Sequence, residues 1–529
     1  MDTKALRQKI LDLAIRGKLV PQDPSDEPAS VLLEKIREEK ARMVKEGKLK
    51  KKDIKNDSII YVGEDNLHYE KFQDGTVKCI EDEIPFEVPE GWAWERLSNL
   101  AAFSGGKTPS TSHQEYWGGE VPWVTSKDMK SKYITSSQLR LSILGAEQMK
   151  IYQPDTLLLV TRSGILRHTL PVSILKEPAT INQDLKAIAL YMPKLAEYIY
   201  ICLKGMEAQL LLKYTKSGTT VENINFDEFQ KVLFPIAPLQ EITRIIAATC
   251  EAEQIVSSIE DDKTALAEYV VKAKTKILDL AIRGKLVPQE PEDEPASALL
   301  EQIRAEKESL IKQGKIKRDK KESVIFKGED NSYYEKIGSV VQCIDSEIPF
   351  EIPDSWAYER LGNICSVARG GSPRPIKNYL TDDENGLNWI KIGDTEQGGK
   401  YIFSTKEKIR PDGLSKTRYV HCGDFLLTNS MSFGRPYILK TDGCIHDGWL
   451  VIGDVENVFD QDFLYCMLSS SAMYNALSSL AVGSTVKNLK SDSVKTLIVL
   501  IPPIEEQKAI ATQVDTFLTI TSQIEKSLS

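Results

Sequence analysis

Between residues 239 and 284, apolar side chains recur in alternating steps of three and four: Ala252, Val256, Ile259, Leu266, Val270, Ala273, Ile277 and Leu280. This spacing is a coiled-coil seam. Lys263 interrupts it, and Gly284 and Pro288 end the predicted helix. Both ends of the chain share its register. Ile510, Val514, Phe517, Thr521, Ile524 and Leu528 align with Ile245, Thr249, Ala252, Val256, Ile259 and Lys263, and Leu6, Ile10 and Leu13 align with Ala273, Ile277 and Leu280. The tail, 504–529, copies the first half of the central helix, and the head, 1–17, copies its second half. Tail and head together predict a second rod antiparallel to the first, each about 65–70 Å long at ~1.5 Å per residue. Residues 29–46 and 296–313 predict further amphipathic helices. Over 83–238 and 347–503 the pattern changes to β-branched and aromatic residues between Gly, Pro and Asn turns, which predicts strands with some helices. Apolar runs at 156–160 and 497–501 suit buried strands. The predicted fold class is α+β: two strand-rich domains joined by long antiparallel coiled-coil helices in a circular pseudo-twofold repeat.

The shared register reflects a duplication. KILDLAIRGKLVPQ occupies both 9–22 and 276–289. DEPASVLLEKIREEK pairs with DEPASALLEQIRAEK, and EIPFEVPEGWAWERL (83–97) pairs with EIPFEIPDSWAYERL (347–361). Further on, the copies keep only landmarks. Gly105-Gly106 matches Gly370-Gly371, Trp123 matches Trp389, GTTVENI (218–224) matches GSTVKNL (483–489), and PLQEI (238–242) matches PIEEQ (503–507). The boundaries read as follows: a repeated helix and amphipathic helix (1–52), a connector (53–82), the first strand-rich domain (83–238), the central helix (239–284), a connector with the repeated amphipathic helix (285–346), the second strand-rich domain (347–503) and the C-terminal helix (504–529).

At 529 residues with 41% apolar and 27% charged residues, the composition is that of an ordinary globular chain. The net charge of -9 excludes a uniformly basic coat but not local basic patches. Lysine-rich stretches at 45–52 and 312–321 are either solvated helix ends or contacts for phosphate or a partner. No apolar run approaches a membrane span. The charged start MDTKALRQKI reads as helix rather than signal peptide, so a cytoplasmic location is expected. The eight cysteines form no CxxC pair and are expected to be reduced and mostly buried.

Two motifs invite an enzymatic reading. Residues 101–108, AAFSGGKT, fit a relaxed phosphate-loop pattern, but Pro109 follows where a helix should propagate, and the second copy lacks the Lys-Thr pair. Asp155, Asp184 and Lys186 resemble a metal-nuclease constellation, in which carboxylates hold the ion and Lys steadies the attacking water. The second copy keeps Asp424 but reads Asp447-Gly-Trp without the Lys. The histidines are scattered, and no HExxH occurs. No catalytic, cofactor-binding or metal-binding residues are assigned, and the chain is expected to be non-catalytic.

What remains is an inventory for reading DNA, since Arg, Lys, Asn, Gln, Ser and Thr read base edges in the major groove. Predicted loops of the first domain carry Lys107, Thr108, Ser110, Ser126, Lys127, Arg162, Ser163, Arg167, Asn182 and Gln183. Those of the second carry Ser372, Arg374, Lys377, Asn378, Lys391, Asn429, Ser430 and Arg435. These loops are where the copies differ most, as expected of two modules reading different sequences.

With its two variable domains, its circular repeat and the ILDLAIRGKLVPQ, EIPFE-P--W---RL and P--EQ wording, the whole chain resembles the specificity (S) subunit of type I restriction–modification enzymes. The resemblance implies a DNA-reading subunit in which each target-recognition domain reads half of a bipartite, asymmetric double-stranded target. Its helices would set the unread spacer and dock two methyltransferase subunits, and two restriction (translocase) subunits would complete the endonuclease. S-adenosylmethionine, ATP and magnesium would serve those partners, with no cofactor on this chain and no membrane. The setting implied is the cytoplasm of a bacterium or archaeon. Three alternatives stand beside it: the target-recognition subunit of a fused type II restriction system, a metal nuclease built on Asp155, Asp184 and Lys186, and a pure scaffold.

Overall fold

The same glycine ends a helix twice. In the computed structural model, which describes residues 2–50, 54–55, 57–216, 221–318, 322–396, 398–429, 433–481 and 488–528, the helices Thr3–Ile15 and Leu239–Ile282 run into Gly17 and Gly284. These glycines have φ of +65° and +64°, left-handed values that stop a helix and that an L side chain resists. A Cβ would also lie 2.4 Å from Cγ of Pro89 or Pro353. The AIRG motif is thus required both for the cap and for the close approach of the loop behind it.

The chain forms two compact units, Met1–Asp262 and Lys263–Ser529, and the long helix supplies residues to both. In the first unit, Arg7 bonds Glu253 and Glu260 at 2.9 and 2.6 Å, while Gln22 donates to Glu241 at 3.0 Å. As the head proceeds, its contacts step back along the long helix, so the two segments are antiparallel. The second unit repeats the arrangement with Lys274 on Glu525 at 2.6 Å and Gln289 on Glu506. The C-terminal helix is Ile504–Leu528. Ile245, Val256, Val270, Ile510 and Val514 of the predicted seam are buried. Leu266 departs from that expectation at 42% exposed.

The amphipathic segments are the helices Ala29–Lys45 and Ala296–Lys312. Beyond these helices each connector forms a three-stranded antiparallel sheet that the pattern did not predict, Ser58–Val62, His68–Phe72 and Val77–Cys79 in one and Ser323–Lys327, Tyr333–Ile337 and Val340–Cys343 in the other. Each sheet is pinned by one arginine. Arg96 bonds both oxygens of buried Glu70 at 3.1 and 2.6 Å and Glu83 at 2.8 Å. Arg360 does the same with Glu335 at 3.1 and 2.8 Å and Glu347 at 2.8 Å. Glu83 and Glu335 are both shifted down to about 2: burial opposes the shift at Glu83, and the guanidinium bond is the largest cause at Glu335.

Each strand-rich domain holds a five-stranded sheet. In the first its order is Ala101–Gly105, Leu185–Leu190, Leu157–Val160, Val172–Leu175 and Tyr133–Ile134. In the second it is Ser366–Arg369, Trp449–Gly453, Phe425–Thr428, Pro436–Leu439 and Tyr401–Ile402. All neighbours are antiparallel except the last pair. The apolar runs become the strands Leu157–Val160 and Ile498–Ile501, buried along their whole length because both faces are covered. A second sheet has three strands in the first copy and five in the other. Cys202, Cys365, Cys444 and Cys466 are buried as expected, whereas Cys79, Cys250, Cys343 and Cys422 are exposed; all eight are free.

Arg96→Ala strands two carboxylates, one of them buried, and is expected to destabilise the first unit by about 3–5 kcal/mol. Denaturant unfolding checks this, with the same direction and a smaller loss for Arg360→Ala, whose partner Glu347 is more exposed.

Candidate nucleic-acid interface

Strand direction gathers the predicted loops. In the first domain Gly105 pairs with Lys186, and Val160 pairs with Leu185. The end of one strand, the start of the next and the end of the third therefore meet at a single edge of the sheet. Loops 106–110, 161–168 and 182–184 leave that edge. Loop 125–129 joins them because the second sheet runs parallel there, with Asn182 N donating to Val124 O at 3.0 Å. Gly106 allows the crowding: a Cβ would sit 2.1 Å from Ile181 O and 2.2 Å from Asn182 O.

Of the ten residues expected there, Lys107, Thr108, Ser110, Lys127, Arg162, Arg167 and Gln183 are exposed, and Ser126 and Ser163 are half-buried. Thr108 Oγ1 donates to Gln183 Oε1 across two loops. Arg167 Nε bonds Glu222 at 2.5 Å, a contact that lowers the Glu222 carboxyl. Asn182 is only 6% exposed. Its side chain accepts from Asp184 N at 3.2 Å and donates to Asp184 Oδ2 at 3.3 Å, so it folds the turn from inside.

The second domain repeats the convergence. Arg369 pairs with Leu450, Thr428 with Trp449, and Leu427 with Pro436, so residues 370–378, 429, 433–435 and 446–448 share an edge. Their centre is Asp447. Ser372 Oγ donates to its Oδ1 at 2.8 Å, Arg374 approaches Oδ2 at 3.2 Å, and Asn429 Nδ2 donates to its carbonyl at 2.7 Å. Partial burial works against ionisation of Asp447, but the Ser372 hydroxyl and the His446 and Arg374 charges outweigh it, and the carboxyl lies below its usual range. Arg374, Lys377, Asn378 and Arg435 are exposed, Ser372 and Lys391 are half-buried, and Lys391 is paired with Glu407 at 2.6 Å. Asn429 is fully buried and ties loops together. Ser430 lies outside the described residues. Sequence reasoning missed Asp447 as the hub, and also Arg369 and Arg418, exposed cations at the same edge.

The enzymatic readings lose their geometry. Register pairs Leu157 with Ile188 and Val160 with Leu185, which puts Asp155 and Asp184 at opposite ends of their strands, roughly 10 Å or more apart. Among the described residues, no group of three His, Cys, Asp or Glu could hold a metal. The strand Ala101–Gly105 leads to a loop and the 3₁₀ turn Gln114–Tyr116, not to the helix N-terminus that a phosphate loop needs. Among the described residues, no helix is long and apolar enough to cross a membrane.

His446 gives this edge a pH dependence. Its Nδ1 accepts from Gly448 N at 2.7 Å, and burial lowers its proton affinity below the ordinary value of 6.5. The unfolded chain then binds the proton more readily than the fold does. Stability of the second unit is thus complete above about pH 6.5 and falls on acidification through the lowered value. Thermal melting between pH 7.5 and 5.5 is expected to show this loss, and His446→Gln to flatten it.

Residues 89–261 and 353–529 each match the type I restriction modification DNA specificity domain. The specificity subunit of the type I restriction enzyme EcoEI from Escherichia coli is 24% identical over 99% of this chain and 90% of its own length. That of EcoAI, also from Escherichia coli, is 28% identical over 69% of this chain and 63% of its own length. The fold resembles that of the HsdS subunit from Thermoanaerobacter tengcongensis, with a TM-score of 0.51 at 15% identity over 84% of this chain and 94% of that one.

Proposed function

The chain belongs to the family of type I restriction–modification DNA specificity subunits, a non-catalytic class that recognises DNA, and from that premise we propose that each loop cluster reads one half of a bipartite, asymmetric target. One observation carries this reading. Two loop edges of different chemistry are built on one repeated frame, in which the buried glutamates Glu241 and Glu506, the arginines Arg96 and Arg360 and the capping glycines Gly17 and Gly284 recur residue for residue. A repeated frame suits two copies of one partner, and divergent loops suit two unlike sequences. The readers would be Lys107, Thr108, Ser110, Ser126, Lys127, Arg162, Ser163, Arg167 and Gln183 in one edge and Ser372, Arg374, Lys377, Asn378, Lys391, Ser430 and Arg435 in the other. Asn182 and Asn429 would hold the loops from within.

The fused type II, nuclease and scaffold alternatives are not retained. The matched relatives are type I specificity subunits, and the nuclease carboxylates lie at opposite strand ends. A helix of 44 residues is about 66 Å long at ~1.5 Å per residue, a length suited to fixing an unread spacer. The helices would dock two methyltransferase subunits, with two restriction subunits completing the complex in the cytoplasm. Adenine methylation from S-adenosylmethionine and ATP- and magnesium-dependent translocation and cleavage would take place on those partners. Phosphate contacts would set register, and base contacts would set sequence.

A chain carrying residues 83–238 in both domain positions tests this. Assembled with the methyltransferase subunit, it is expected to methylate a target whose halves are inverted repeats, with the gap unchanged. An unaltered asymmetric target would contradict the reading.

A further inference from the structure

The two loop edges can be superposed through their hydrogen bonds alone. Lys107 N donates to Ile181 O at 3.1 Å, as Gly371 N does to Ile445 O at 3.2 Å. Asn182 N donates to Val124 O at 3.0 Å, as His446 N does to Ile390 O at 3.3 Å. A Cβ at Gly106 would strike the carbonyls of Ile181 and Asn182, and one at Gly370 those of Ile445 and His446. These contacts equate Thr108 with Ser372, Ser110 with Arg374, and Gln183 with Asp447. The side chains then coincide in what they do. The Thr108 hydroxyl donates to the Gln183 carbonyl oxygen, and the Ser372 hydroxyl donates to the Asp447 carboxylate. The contacts shift the sequence landmark by one residue: Gly106, not Gly105, is the counterpart of Gly370, so the offset of 264 that holds over 83–97 and 347–361 continues through Thr108-Pro109 and Ser372-Pro373.

Resting on the function proposed above, we propose that Gln183 and Asp447 are the equivalent specificity-determining positions of the two half-sites, Gln183 reading an A·T pair and Asp447 with Arg374 reading G·C. The hydroxyl partner orients each side chain toward the open edge. Gln183 is exposed, its oxygen has a second lone pair, and its amide is a donor. That is the pattern for a bidentate contact with adenine N6 and N7. Asp447 offers acceptors only, and its carboxylate has lone pairs beyond those used by Ser372 and Arg374. In the major groove it matches the amino group of cytosine, while the mostly exposed guanidinium of Arg374, at 77% side-chain exposure, matches guanine O6 and N7. One half-site is thus read by neutral amide and hydroxyl groups and the other by a charged pair.

The test uses the full chain assembled with its methyltransferase subunit and a map of methylated adenines in host DNA. Gln183→Ala is expected to relax one A·T pair in one half of the motif, and Asp447→Asn or Arg374→Ala to relax G·C in the other half. Each change should amount to about tenfold to hundredfold in preference, with the gap retained. The assignment is overturned if Gln183→Ala and Asp447→Asn relax the same half, if the relaxed pair is of the other class, or if the motif is unchanged. Should Asp447→Asn abolish methylation, Ser372→Ala keeps the carboxylate and is expected to relax the same G·C position. An unchanged motif from both Ser372→Ala and Arg374→Ala then overturns the proposal. Absence of any two-part motif from the unsubstituted complex would instead sink the underlying function.

Discussion

A buried carboxylate in the first turn of a helix holds each unit together. Glu241, 1% exposed, accepts from the Trp92 indole at 2.9 Å and from Gln22 at 3.0 Å. Glu506, 4% exposed, accepts from Trp356 at 2.8 Å and from Gln289. Burial raises the Glu506 carboxyl, and the indole and amide bonds oppose that rise. Three segments distant in sequence meet on one acid: the strand-rich domain through its Trp, the repeated KLVPQ loop through its Gln, and the coiled-coil helix through the Glu itself. The helix N-terminus favours the negative charge, and an unpartnered carboxylate at such a depth would be costly. The clamp therefore fixes where the recognition domain sits on its own helical segment.

From that joint outward, the molecule divides into what is repeated and what is free to change. The guanidinium pins at Arg96 and Arg360, the glycine caps and the sheet order all recur, and these are the parts that position an edge. The edges themselves diverge in charge, in loop length and in the size of the neighbouring second sheet. A reader of DNA needs this division, because affinity and register come from a common frame, whereas sequence preference comes from a few side chains at its rim.

Much of this was legible in the sequence, for reasons that particular residues show. The seam from Ala252 to Leu280 and its copies at the termini are periodic, and periodicity survives substitution. Gly17 and Gly284 mark helix ends because no other residue suits the geometry. The buried runs at 157–160 and 498–501 announced themselves by continuous apolarity. The three-stranded connector sheets did not, since His68–Phe72 reads HYEKF without apolar alternation, and the burial of Glu70 depends on Arg96 from a distant strand. At the edges, residue type was a good guide to which loops converge and a poor one to orientation. Asn182 and Asn429 carry reader chemistry but face inward, and Asp447, first met as a broken nuclease motif, sits at the centre. Long-range hydrogen bonds decide such matters, and they leave no local pattern.

The central claim is that one chain carries two different readers. Expressing it with the adjacent methyltransferase gene and mapping methylated adenines across the host genome tests this directly. The account predicts a motif of two unlike parts separated by a gap of constant length. A single contiguous motif, or methylation without sequence preference, would contradict it.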